Sequence, residues 1–259
     1  MRITLIGSGN VATHLGAALK NAGHRIAQVY SPTMQNAALL AYHLGADAID
    51  NLQQIDTDTD IFIISVKDDA IANVAEQLAK HDILMAHTSG AAVLQQLTAF
   101  TDKAGVFYPL QTFSKTKEVN FWDVPMCIEG ADESITQSLE ALARDVSNNI
   151  YRVSSTQRKV LHLAAVFACN FPNYLYGIAQ HLLAGSDMSF DMLRPLIIET
   201  ADKIKTNLPG SVQTGPAVRN DEQTMAAHLQ MLSGQNNLQE IYELLSQGII
   251  KNKAAGNAG

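Results

Sequence analysis

Ile6-Gly7-Ser8-Gly9-Asn10-Val11-Ala12 stands between an apolar run at 2–6 and a stretch in which Val11, Leu15, Ala18, Leu19 and Ala22 recur at helical spacing. A GxGxxA pattern alone is weak. Placed after a strand and at the opening of a helix, it reads as a dinucleotide-binding turn. Gly7 permits the tight turn, Gly9 leaves the backbone open to a pyrophosphate, and Ala12 lets the helix pack closely on the sheet. The helix start then offers free N–H groups and a partial positive charge to the phosphates. Gly7, Ser8, Gly9, Asn10, Val11 and Ala12 are therefore the expected cofactor-binding residues. The bland alternative is a turn that is merely tight.

Outward from that turn, short apolar runs alternate with helical stretches. Strands are expected at 25–31, 47–49, 61–66, 83–87 and 104–107, and helices at 33–44, 69–80 and 91–97. Residues 61–66 are almost wholly apolar, as a central parallel strand should be. Two more strands, 125–129 and 149–153, flank a helix at 132–146. Beyond them the pattern is all helix: 155–184, 190–207, 221–232 and 237–251, with a loop at 208–216 and a frayed tail from Lys253 to Gly259. The expected architecture is α/β: a Rossmann-type parallel sheet domain, 1–153, followed by an all-α domain, 154–259, for substrate and dimerisation.

The chain has 259 residues, 47% hydrophobic and 17% charged, with a net charge of −7. An acidic surface makes nucleic acid and membrane poor partners. No run is long enough to span a bilayer, and the strand at the start leaves no room for a signal peptide. Cys127 and Cys169 match no zinc spacing and read as buried free thiols, which points to the cytoplasm. No metal is expected.

The identity of the dinucleotide is read from the end of the second strand. An NAD site carries an acid there, bonded to the ribose hydroxyls. Here the residues are Val29-Tyr30-Ser31-Pro32-Thr33. The missing carboxylate favours NADP over NAD, with Ser31 and Thr33 available to a 2′-phosphate, although Ser31 could equally cap the next helix. Two further turns fall at strand ends. In one, Val66 and Asp68 would border the ribose, unless Asp68 or Asp69 simply caps a helix. In the other, His87, Thr88 and Ser89 could reach nicotinamide or substrate, or form an ordinary turn.

Taken with Val66-Lys-Asp-Asp69, His87-Thr-Ser-Gly90, Pro109-Leu-Gln-Thr-Phe113, the helix 161–171 and Thr214-Gly-Pro-Ala-Val-Arg-Asn-Asp221, the turn gives the chain a resemblance along nearly its whole length. It resembles the Rossmann-like proteins that carry the C-terminal domain of unknown function 2520. That group is similar to NADP oxidoreductases using a deazaflavin coenzyme, and more distantly to pyrroline-carboxylate reductases and β-hydroxyacid dehydrogenases. The resemblance implies a Rossmann domain, a helical domain that often dimerises, and no particular substrate. In the group a His often precedes the Pro-Leu-Gln-Thr-Phe run and an Arg often follows Tyr-Ser. Here these positions hold Tyr108 and Pro32, which removes one argument for catalysis at that loop and one for NADP. The Lys/Asn pair of the β-hydroxyacid dehydrogenases is also absent, since the residue four after Lys159 is Leu163.

Hydride transfer needs a group that moves a proton on the substrate heteroatom. At ~100° per residue, Lys159, His162, Val166 and Asn170 share one stripe of the long helix. His162 is suited to proton transfer and Asn170 to orienting a carbonyl or carboxylate, although both could be hydrogen-bonded core residues. Thr214 and Arg219 lie in a loop entering a helix, where Arg219 could clamp an anion. The expected function is an NADP-dependent oxidoreductase acting on a small polar molecule as a homodimer. The alternative is a non-catalytic nucleotide-binding or sensing protein.

Overall fold

The computed structural model describes residues 1–114 and 116–256. The alternating runs become β1 Arg2–Ile6, α1 Asn10–Asn21, β2 Arg25–Tyr30, α2 Met34–Leu44, β3 Asp47–Ile49, β4 Ile61–Ile64, α3 Ile71–Leu78, β5 Leu84–His87, α4 Gln95–Thr98 and β6 Ala104–Pro109. Then come β7 Met126–Gly130, α5 Glu133–Arg144 and β8 Ile150–Arg152. Among the described residues these strands form one eight-stranded sheet in the order β3-β2-β1-β4-β5-β6-β7-β8. Every neighbouring pair is parallel except β6 with β7. That exception departs from the expected parallel sheet. The link between β6 and β7 carries a 3-10 turn, Phe121–Asp123, in place of the long crossover helix that usually returns a strand in parallel.

Strand order reverses at β1 and β4, and the alternation of side chains divides the core between the two faces. Ile3, Leu5, Ile61 and Ile63 pack with Leu15 and Leu19 of α1, Leu40 and Leu44 of α2, and Leu139 and Leu142 of α5. Ile6, Phe62 and Ile64 pack on the opposite face with Ile71, Val74 and Leu78 of α3 and Leu97 of α4. Each such side chain contributes roughly 1.5–3 kcal/mol on burial. Ala12 is fully buried, as close packing of α1 requires.

Strands end at Arg152. Only helical elements follow among the described residues: α6 Ser155–Ala165, a π turn at Val166–Asn170, α7 Phe171–Ala184, α8 Arg194–Lys203, α9 Pro216–Arg219, α10 Glu222–Met231 and α11 Asn236–Gly256. A capping box of Ser154 and Gln157 starts α6. The chain divides into two compact units, Met1–Tyr174 and Leu175–Gly259.

Several expectations are corrected. The helix expected at 91–97 shrinks to α4, because the carbonyls of Ser89 and Ala92 are taken by Arg158 and the Leu94 N–H by Ser155 Oγ. The helix expected at 190–207 is a 3-10 turn, Phe190–Met192, followed by α8, with Pro195 in the first turn of α8. It stops early where the Asn207 side-chain amide donates to the Lys203 carbonyl. Cys127 is buried, but Cys169 is exposed. The tail is helical to Gly256, so fraying from Lys253 is not seen there, and 257–259 lie outside the described residues. No helix among the described residues is long and apolar enough to cross a membrane.

Candidate active site

The carboxyl ends of β1, β4 and β5 lie side by side, as the position where strand order reverses requires, and this is where open α/β sheets bind ligands. Backbone bonds lace the ends together: Gly7 N–H to the Tyr30 carbonyl at 2.8 Å, Ser65 N–H to Ile6 at 2.7 Å, and Thr88 N–H to Ile64 at 3.0 Å. Thr88 Oγ1 adds a bond to Ser65 Oγ at 3.1 Å. Gly7 is obligatory. Its φ is +126°, and a Cβ there would lie 2.2 Å from the Ser65 carbonyl oxygen.

Above these ends opens a cleft of about 350 Å³, formed by Gly9–Val11, Ser65–Asp68, Thr88–Ala91 and His162. A Cβ on Gly9 would meet nothing within 4 Å, so the backbone is open to an approaching group. The first turn of α1 carries no acid, and Gly9 makes no side-chain cap. Its leading N–H groups therefore suit a phosphate. A pyrophosphate fits this turn on geometry and charge alike. Asn10 turns its side chain elsewhere: Nδ2 donates to the Phe113 carbonyl at 2.9 Å, and His14 Nε2 lies 2.8 Å from the Ser114 carbonyl. Both moor the segment after β6 to α1.

The third turn is held from below. Arg158 of α6 is fully buried and ion-paired to Glu129 of β7. Its guanidinium donates to the carbonyls of Ser89 at 3.2 Å and Ala92 at 2.6 Å. Glu129 also accepts the N–H and hydroxyl of Ser155 at the start of α6. Ser89 Oγ accepts the N–H groups of Ala91 and Ala92. The Ser89–Ala92 turn is thereby clamped to α6, and one helical turn beyond Arg158 the same helix presents His162 to the cleft.

Tyr108, near the end of β6, places Oη 3.3 Å from His162 Nδ1. Gly90 makes room for both: a Cβ there would come within 2.7 Å of His162 Nδ1 and 2.8 Å of Tyr108 Oη. The Tyr108 phenol is pushed up to about 12, first by burial and then by Cys127 and Asp68, against Arg158, so it stays protonated.

Gly9, Asn10, Val11, Val66, Asp68, Thr88, Ser89 and His162 are brought together, with Gly7, Ser8 and Ala12 forming the turn and helix start beneath them. The remaining expected residues are not in the cleft. His87 is fully buried, its Nδ1 accepts the Ser89 N–H at 3.2 Å, and Nε2 has no hydrogen-bond partner among the described residues, so it supports the turn from beneath and does not line the cleft. Burial and the Arg158 charge push its imidazole down to about 3, against the Val93 backbone. Ser31 is buried with Oγ 3.4 Å from the Thr33 N–H, while Thr33 is exposed at the start of α2 without capping it. Asn170 is exposed and outside the cleft. The π turn adds a residue to its helical turn, so the α-helical phase counted from His162 fails there. Thr214 and Arg219 belong to the second unit, both exposed, and Asp221 caps α10 through Thr224. Sequence reasoning missed Arg158, whose partner Glu129 lies 29 residues away and carries no local signal. Tyr108 was visible only as an oddity before Pro109.

Residues 1–112 match the Rossmann-like domain, and residues 124–249 match the family described as Domain of unknown function (DUF2520). A Bacteroides fragilis protein provisionally described as an NADP oxidoreductase is 42% identical, with 96% of this chain and 98% of that one aligned at a TM-score of 0.92. The fold is shared more distantly with an imine reductase from Myxococcus stipitatus in complex with NADP+ (16% identity, 99% and 95% of the two chains, TM-score 0.71). It is also shared with a pyrroline-5-carboxylate reductase from Coxiella burnetii (16% identity, 98% and 97%, TM-score 0.56). No curated protein matches the chain.

Proposed function

Because the chain belongs to the family that joins a Rossmann-like domain to the domain of unknown function 2520, we propose that it is an NADP-dependent oxidoreductase acting on a small polar substrate. The observation that carries this reading is the open Gly9 backbone and acid-free α1 start at the switch point, facing His162 across one cleft. NADP is favoured over NAD by the acid-free end of β2 and by the names of two relatives. Thr33, exposed and uncapped, is available to a 2′-phosphate; buried Ser31 shapes the turn.

Bound there, a reduced nicotinamide supplies a hydride. The chain does the rest. The α1 start holds the pyrophosphate, Val66 and Asp68 border the ribose, Thr88 and Ser89 flank the substrate, and His162 carries the proton. Titration with NADPH and NADH, following nicotinamide fluorescence, tests the reading. Tighter binding of NADPH supports it, and binding of neither ends it.

A non-catalytic sensor draws on Leu163 standing where a Lys/Asn pair would need its Asn. It requires cofactor binding without turnover across keto acids, imines and a deazaflavin. NADPH oxidation that is lost in His162→Ala excludes it.

The reading includes a homodimer in the cytoplasm. Val160, Leu163, Phe167, Phe171 and Tyr174 leave 65%, 57%, 65%, 47% and 54% of their surface exposed, with the Phe167 and Phe171 rings 5.0 Å apart, apolar surface suited to a second copy. The two cysteines are free, as a reducing compartment favours. Light scattering gives twice the chain mass if this holds, and a monomer at micromolar concentration refutes it.

A further inference from the structure

We propose that Tyr108 is a positioning residue that holds the His162 proton on Nδ1, leaving Nε2 to exchange a proton with the heteroatom of a carbonyl or imine substrate. This rests on the oxidoreductase reading and goes beyond it, because it fixes which ring nitrogen works and what atom must meet it.

Three observations support it. Oη of Tyr108 is 3.3 Å from His162 Nδ1, and Nε2 has no hydrogen-bond partner among the described residues although the imidazole borders the cleft. Gly90 packs against both groups, so a side chain there would displace one or the other; its own lack of one keeps the pair in contact. Burial keeps the phenol neutral, so its oxygen is able to accept the Nδ1 proton, and we assign it that role rather than the role of donor. A histidine's free nitrogen is set by the bond its other nitrogen makes.

In the reductive direction the substrate carbon gains a hydride from the reduced nicotinamide. The C=O or C=N π pair moves onto the heteroatom, which takes the Nε2 proton of the His162 imidazolium. His162 is left neutral, its remaining proton on Nδ1 and bonded to Tyr108 Oη, and solvent restores the Nε2 proton. Tyr108 never ionises, so no charge is created on a buried phenol. The required substrate atom is an acceptor that becomes a hydroxyl or an amine.

The test reads the tautomer directly. In water a neutral imidazole prefers its proton on Nε2. ¹⁵N spectra of histidine-labelled protein, without cofactor and at a pH where the ring is neutral, should show His162 mainly protonated on Nδ1. Tyr108→Phe should return the proton to Nε2, and Gly90→Ala, which forces the pair apart, should do the same. An unchanged urea midpoint in Tyr108→Phe verifies that the fold is intact. A wild-type spectrum with the proton on Nε2, or a Tyr108→Phe spectrum identical to wild type, overturns the proposal. Because no cofactor is present, this failure is distinct from failure of the oxidoreductase reading, which is decided by the NADPH titration.

Discussion

Replacing Arg158 by methionine keeps most of the side-chain volume and removes the charge that clamps the Ser89–Ala92 turn to α6. Four groups lose a donor: the Glu129 carboxylate, the carbonyls of Ser89 and Ala92, and Ser155 Oγ. Stripping one partner from a buried ion pair costs about 3–5 kcal/mol. The low end applies here, because the Glu129 side chain is 19% exposed and keeps its two bonds to Ser155. The orphaned carbonyls add about 1 kcal/mol between them once the loosened turn admits water. The expected loss is about 4 kcal/mol, and at this chain length roughly 10 °C in Tm. Arg158→Lys keeps the charge but lacks the planar fork, and should recover about half. Urea melts read by tryptophan fluorescence measure the free-energy losses, and a thermal melt measures the shift in Tm. In the double variant with Glu129→Gln, the losses should fall short of additive by more than about 1 kcal/mol. A cost below about 1 kcal/mol for Arg158→Met would refute the clamp.

His87 makes stability depend on pH. Its folded value of about 3 lies below the ordinary 6.5, so as pH falls the unfolded chain takes up a proton before the folded one does. Stability is full above pH 6.5 and declines toward pH 3, by on the order of 2 kcal/mol at pH 5. His87→Gln should flatten that slope in urea midpoints at pH 7.5 and 5, and parallel slopes would exclude this cause. Gly7→Ala places a Cβ 2.2 Å from the Ser65 carbonyl at φ +126°. It should cost more than about 2 kcal/mol and abolish NADPH fluorescence enhancement, and near-native binding would show that the β1–β4 approach is dispensable. Cys127 is buried with its thiol pushed up to about 11, mainly by burial, so it should resist a thiol reagent at pH 8 until the protein is unfolded in urea.

The sheet was legible because its information is local. Alternating apolar residues, a helix at 3.6-residue spacing and the GxGxxA turn each state their geometry within a few residues. Strand ends in this architecture are where ligands sit, so Gly9, Val66 and Ser89 could be named in advance. The same rule misled at His87. A strand-end residue points to one face or the other, and which face holds solvent depends on what packs there; for His87 that is the Arg158 side of the turn. The stripe linking His162 to Asn170 assumed an unbroken α-helix, and a π turn is set by packing that no periodicity records.

By itself, then, the sequence determined the succession of strands and helices along the chain and the glycine turn at the end of β1. The tertiary structure alone decided the side-chain pairs that brace the cleft. Arg158 reaches Glu129 and Tyr108 reaches His162 across 29 and 54 residues. Arg158 and His162 lie on α6 while Glu129 and Tyr108 lie on the neighbouring strands β7 and β6, so both pairs form only when α6 packs against that part of the sheet. Contacts between distant segments exist only once the chain has closed its loops, which is why no local pattern announces them.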